Sequence, residues 1–225
     1  MGWYGADRGR VCRMTQFRCA LAFLTRLPGG RHPDSPSDLT RAVPWFPVVG
    51  GVVGALGAGM YVGALELVAP LPAAALAFAL TALVTGGFHE DGLADSLDGL
   101  AGGWDREQRL EILKDSRHGT FGVLALVLVS IVKISALATL AGWTAAGALV
   151  AAHVAGRAGA VALMGVAPTA REVGLGADYT RSLRPIPTIA GSCIGVAVLV
   201  AVFQAWTPVA IVAVVGGVAI VTGTG

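Results

Sequence analysis

The chain has 225 residues, of which 55% are hydrophobic and only 13% charged, with 32 glycines and a net charge of +2. A soluble domain carries about 25% charged residues, so half the usual polar coat is missing and a water-soluble globule is excluded. The net charge of +2 says little about partners, and no nucleic acid is expected. The apolar residues come in long blocks rather than stripes, and a bilayer span needs about 20 of them. The expected fold is therefore all-α, a polytopic transmembrane helix bundle in a single integral membrane domain over residues 1–225.

Residues 1–43 are Arg-rich and broken by Pro and Gly. Phe17, Leu21 and Leu24 recur at helical spacing beside Arg18 and Arg26. That pattern suits either a short helix on the membrane surface or one packed on the protein's own bundle. The run CALAFL has no adequate apolar length or cleavage site, so no signal peptide is expected. Cys12, Cys19 and Cys193 are widely separated, which argues against a disulfide or a zinc site.

Spans are expected at about 44–66, 72–88, 120–140, 143–165, 188–206 and 207–224. Of the sixteen Lys and Arg residues, seven precede the first span, four lie in 89–119 and three in 166–187. Six spans with an inside N-terminus put all three basic segments on the cytoplasmic face. The expected location is a cell inner or plasma membrane, multi-pass, with the active-site loops cytoplasmic. Glycine-rich stretches such as VVGGVVGALGAGM (48–60) are assigned to close helix packing in lipid. A homo-oligomer stays open at this level.

Eight of the fourteen acidic residues fall between Glu90 and Asp115. Within HEDGLADSLDGL, Asp91, Asp95 and Asp98 stand at i, i+4 and i+7, on one face of a helix. In DREQRLEILKDSR, Glu111 and Asp115 stand at i and i+4, again on one face. The glycines of GLAGGW allow a turn that brings the two faces together. Such carboxylates repel one another and lose hydration near a bilayer, so a cation must sit between them. Hard divalent ions prefer carboxylate oxygens, and magnesium fits better than zinc where no Cys or paired His accompanies the acids. The competing reading is a solvated loop whose acids pair with Arg106, Arg109, Lys114 and Arg117.

Magnesium held by convergent carboxylates most often serves phosphoryl transfer. Lys114 and Arg117 flank Asp115 and can reach a phosphate. The run RHGTFG enters the third span, so the N–H groups around His118, Gly119 and Thr120 can bind an anion at a helix start. His89 and His118 are candidates for a general base.

GGFHEDGLADSLDG (86–99) followed by RLEILKDSRHGTFG (109–122) closely resembles the paired signature of the adenosylcobinamide-GDP ribazoletransferase, or cobalamin synthase, family. FLTRLP (23–28), PWFPVVGGVVG (44–54) and GLGADY (174–179) fit the same family, so the resemblance runs from about residue 17 to 180. It implies a membrane enzyme, a magnesium-dependent phosphotransferase for substituted phosphate groups. That enzyme joins adenosylcobinamide-GDP to α-ribazole or its 5′-phosphate and releases GMP. The resemblance assigns Asp95, Asp98, Glu111 and Asp115 to magnesium across the diphosphate, and Asp91 to the metal or the attacking hydroxyl. Lys114 and Arg117 offset phosphate charge, while Arg181 and Arg184 contact a guanylyl or acceptor phosphate. Arg157, a charge within a span, is a further substrate-binding candidate.

Two departures stand out. Glu90 occupies a position that is usually apolar in the family. The family pattern also continues into a Thr-Gly-Asp motif, whereas this sequence stops at VAIVTGTG, so a shortened C-terminus is expected. Two other readings compete. A CDP-alcohol phosphatidyltransferase also places acidic helices under the membrane, but DSLDG (95–99) lacks the Ala-Arg pair that follows in that family. A multi-pass transporter with an acidic ion site usually keeps its acids near the bilayer midplane, often with internal repeats; here they lie in a polar segment and no repeat is evident.

Overall fold

The computed structural model describes residues 13–29, 35–115, 117–166, 185–203 and 215. The expected span 207–224, the GLGADY segment, Arg181 and Arg184 lie outside those residues, apart from residue 215. Among the described residues the structure is helical, with no strand. The helices are α1 (Arg13–Leu24), α2 (Pro36–Ala42), α3 (Phe46–Ala64), α4 (Pro70–Thr85), α5 (Phe88–Gly102), α6 (Arg106–Ile112), α7 (Thr120–Ala138), α8 (Gly142–Val166) and α9 (Pro185–Phe203). A 3-10 turn at Val43–Trp45 joins α2 to α3.

Three helical stretches, Asp38–Ala64, Thr120–Ala138 and Gly142–Val166, are long and apolar enough to cross a membrane. The number rises to four if α4 and α5 count as one broken span, and together these helices make the chain a membrane protein. Of the six expected spans, 188–206 falls on α9 and is not among these stretches, and the second, 72–88, is broken. Two prolines, Pro70 and Pro72, start α4, where a missing N–H costs nothing. Gly86 and Gly87 then end it at positive φ, 69° and 71°, a conformation that other residues rarely adopt. The chain turns by 90° there, so α4 is only 16 residues long and α5 leaves across its axis.

The chain divides into two compact units, one of residues 1–52 with 151–225 and one of residues 53–150. In the first, Cys19, Ala20 and Leu24 of α1 are buried with Leu39, Ala42, Val43, Phe46, Val49 and Val161. Phe17 meets Trp45 edge-on at 5.7 Å and Phe23 stacks on Phe46 at 5.7 Å. The amphipathic pattern of α1 thus packs on the protein's own helices. Ser35 caps α2, its side chain accepting from the Asp38 N–H, as helix-start serines do.

In the second unit Tyr61, Ala64, Ala73, Ala74, Ala77, Leu137 and Ala145 form the core. Small residues let the backbones come close, which is the main source of helix association in lipid. A Cβ on Gly54 would lie 2.6 Å from the Val150 Cα, and one on Gly57 2.7 Å from the Thr81 Cγ2. The fully buried Tyr61 donates its hydroxyl to the Leu137 carbonyl at 3.3 Å. Lys133 of α7 lies over the Phe78 ring of α4, 5.6 Å from its centroid.

Candidate active site at the α5–α7 junction

All the acids of the 86–122 segment belong to the second unit. Helix α5 begins on Gly87 and ends on Gly103. Asp105 then caps α6 by accepting the Gln108 N–H at 2.8 Å, and the Gln108 Oε1 accepts the Trp104 N–H at 2.8 Å. This pair of bonds resembles a capping box, with Gln108 reaching the residue before the N-cap, and explains why α6 starts where WDREQ lies. Arg109 reaches back, its Nε donating to the Gly103 carbonyl at 3.1 Å, so α6 folds onto the end of α5.

Helix α6 stops at Ile112, with Leu113 as its C-cap. Here the sequence-based expectation needs correction. Glu111 and Asp115 do not share a helical face, because Asp115 lies beyond the helix end. Its carboxylate instead takes a bidentate contact from Arg117, Nε to Oδ1 at 3.0 Å and Nη2 to Oδ2 at 2.7 Å, and also accepts the Arg117 N–H. The Arg117 side chain, followed by its backbone N–H, lowers the Asp115 pKa from 3.8 to about 2. Glu111, in the last turn of α6, and Lys114, beyond its end, are both exposed.

The start of α7 is also arranged differently from expectation. The Gly119 N–H donates to Asp98 Oδ2 at 2.7 Å and the Gly122 N–H to Asp98 Oδ1 at 2.8 Å. The anion bound at this helix start is therefore Asp98 itself, only 7% exposed. A Cβ on Gly119 or Gly122 would collide with that carboxylate. Asp91, Asp95 and Asp98 share a helix, as the spacing predicts, but the third acid is turned to the α7 backbone.

What the structure brings together is Asp91, Asp95 and His118. One donor atom from each lies within 4.8 Å of the others. His118 Nε2 is 3.6 Å from Asp91 Oδ1, and Nδ1 is 3.6 Å from Asp95 Oδ1. Asp91 is exposed and Asp95 partly buried, so the set opens to solvent. Sequence reasoning placed His118 as a base or phosphate contact and missed its place among these donors. No sequence signal marked it, because His118 is placed by the long-range hold of Asp98 on the Gly119 N–H that follows it. Two carboxylate oxygens and an imidazole nitrogen fit a divalent cation, with positions left for water and phosphate oxygens.

The remaining candidates sit elsewhere. The His89 ring packs edge-on against Phe88 at 5.4 Å and is outside the donor set. One oxygen of Glu90 is shielded from solvent without a hydrogen bond, and nothing in the structure explains an acid at that position. Arg157, in the first unit, is buried, and its Nη1 lies 2.8 Å from the His153 Nδ1 one turn earlier on α8.

The model of the cobalamin-5-phosphate synthase family matches residues 16–224. The chain belongs to that family. Similar curated proteins carry the name adenosylcobinamide-GDP ribazoletransferase. The one from Bradyrhizobium diazoefficiens is 48% identical over 168 residues, covering 73% of this chain and 65% of its own. The Shewanella pealeana protein is 46% identical over 130 residues, covering 57% and 50%, and the Polaromonas naphthalenivorans protein 48% over 132, covering 54% and 47%. The chain thus spans about half to two thirds of the length of the curated relatives it matches. No solved structure matches it. The α5–α7 junction, residues 88–122, falls inside the matched range.

Proposed function

We propose that this chain carries out the reaction its relatives are named for. It would join adenosylcobinamide-GDP to α-ribazole or α-ribazole 5′-phosphate, releasing GMP and giving adenosylcobalamin or its 5′-phosphate. The partners are then a corrinoid nucleotide, a ribazole and the lipid bilayer, with the α5–α7 junction at the cytoplasmic face of the cell membrane. The observation that carries this reading is the convergence of Asp91, Asp95 and His118 at the start of an apolar helix, in a chain of this family.

Asp91 and Asp95 would hold magnesium, with His118 as a third donor or as the partner of a bound water. Bound there, magnesium offsets the charge that develops on a diphosphate as GMP leaves. The exposed Lys114 and Arg117 lie on the loop that leads into His118 and supply positive charge for the same phosphates. Arg117 is presented by its bidentate contact with Asp115, so Asp115 acts on the substrate through Arg117 rather than through a metal. Glu111, exposed on the last turn of α6, is the candidate for a second cation site. His89, at the start of α5, is the candidate to take the proton of the attacking ribazole hydroxyl. Arg157, Arg181 and Arg184 are candidates for the remaining anionic groups of the substrates.

The test is a mixing experiment with the purified chain in lipid nanodiscs. GMP should form only when magnesium, adenosylcobinamide-GDP and α-ribazole are all present. Release of CMP from a CDP-alcohol would favour the phosphatidyltransferase reading, and uptake of a corrinoid into vesicles without GMP formation would favour a transporter.

A further inference from the structure

We propose that Asp98 is a positioning residue that locks the first turn of α7 against α5 and thereby holds His118 opposite Asp91 and Asp95, without ligating the metal itself. A helix start leaves four N–H groups without intrahelical partners, and its dipole favours an anion there. Asp98 fills that place from a different helix. Both of its oxygens are engaged, at 2.7 and 2.8 Å, and the side chain is buried. Bonds of this kind, from backbone N–H groups to an ionised acceptor, are shorter and stronger than neutral ones.

The linkage to His118 is covalent and rigid. The Gly119 nitrogen that Asp98 binds belongs to the planar peptide unit that begins at the His118 carbonyl carbon. Fixing that nitrogen fixes the backbone from which the imidazole projects, 3.6 Å from each aspartate. The close approach depends on two residues of the HGTFG run, because a Cβ on Gly119 or on Gly122 would occupy the space of the carboxylate. Asp98 is also outside the set whose donor atoms gather within 4.8 Å. The inference rests on the metal reading only in naming the set that His118 joins.

Two variants separate positioning from ligation. Asp98→Asn replaces one acceptor by an NH2 donor, so one of the two N–H bonds is lost. Gly119→Ala keeps every acid and displaces the Asp98 carboxylate, whose atoms are the three nearest to a Cβ there, whereas one on Gly122 would also strike the Ala94 carbonyl. Amide exchange across residues 117–124 is followed by mass spectrometry in the metal-free chain. Mn2+ is then used as the probe ion, with binding and the nitrogen coupling of His118 read by electron spin resonance. Both variants should raise exchange at 117–124 at least tenfold and weaken the nitrogen coupling, while Mn2+ still binds within about tenfold of wild type. Asp95→Asn should do the reverse, losing Mn2+ with exchange unchanged.

The inference is overturned if Asp98→Asn abolishes Mn2+ binding with 117–124 exchange unaltered, or if Gly119→Ala matches wild type in both readouts. If neither variant folds, the wild-type chain decides. Saturating Mn2+ should leave protection at 117–124 unchanged or raised. Loss of protection would mean that Asp98 leaves α7 for the metal. Should Mn2+ not bind the wild type at all, the metal reading fails on its own and the metal-free exchange still tests the lock.

Discussion

Two glycines on α3, five residues apart, should respond to alanine with opposite signs. Gly54 is buried, and a Cβ there would lie 2.6 Å from the Val150 Cα and 2.9 Å from the Leu149 carbonyl oxygen. Both are backbone atoms of α8, so no side-chain rotation relieves the clash and the two helices must separate. Forcing an extra methyl into such a contact costs about 1–3 kcal/mol. Gly59 has no atom within 4 Å of its Cβ position, and alanine there removes unfolded-state freedom worth about 0.5–1 kcal/mol. For a chain of this size each kcal/mol moves Tm by about 2–4 °C. Gly54→Ala should therefore melt roughly 2–12 °C lower, and Gly59→Ala roughly 1–4 °C higher. The assay is the fraction of monodisperse protein surviving a temperature series in detergent, measured by fluorescence-detected gel filtration. Equal shifts of the same sign would refute the claim that this pair of helices is set by backbone contact at Gly54.

Three other consequences follow from the site and the core. Arg117→Ala should return the Asp115 pKa from about 2 towards 3.8, read by carbon-13 NMR of labelled aspartate. Because the folded value is the depressed one, the stabilisation from this pair is fully present above about pH 4 and is lost as pH falls towards 2. A variant that still titrates near 2 contradicts the arginine as the cause. His118→Ala should weaken Mn2+ binding by more than tenfold while leaving the melting temperature within about 2 °C, because His118 is exposed; unchanged affinity removes it from the donor set. Tyr61→Phe loses one hydroxyl donor shared over two long contacts, to the Leu137 carbonyl at 3.3 Å and the Leu140 carbonyl at 3.5 Å, at the low end of the usual range, about 0.5 kcal/mol, or 1–2 °C in Tm. A loss above 5 °C would mean that the hydroxyl carries more than these contacts.

The long elements were legible because apolar length leaves little choice in a bilayer. The expected 120–140 and 143–165 correspond to α7 (Thr120–Ala138) and α8 (Gly142–Val166). The expected 44–66 corresponds to α3 with the 3-10 turn before it. The Asp91–Asp95–Asp98 helix was legible too, since glycines bracket it on both sides. What spacing could not supply was the partner of each carboxylate. Asp98 differs from Asp91 and Asp95 only through the two glycines of a segment more than twenty residues later, a long-range contact with no periodic signature. The Glu111–Asp115 pairing failed for a local reason: an i, i+4 argument holds only inside a helix, and α6 ends three residues before Asp115. The two prolines and two glycines around α4 were visible, but the 90° turn they produce depends on both glycines taking positive φ in succession.

The central claim is that the convergent set, rather than the general acidity of residues 90–115, is where the chemistry occurs. The most direct measurement compares magnesium-dependent GMP release by wild type, Asp95→Asn and Asp105→Asn. Asp105 lies in the same segment but only caps α6, and asparagine caps as well as aspartate. Removing a metal donor should forfeit several kcal/mol of charge stabilisation, about 10²–10³ in rate. The account predicts that loss for Asp95→Asn and near wild-type turnover for Asp105→Asn. Equal rates in the two variants would contradict it.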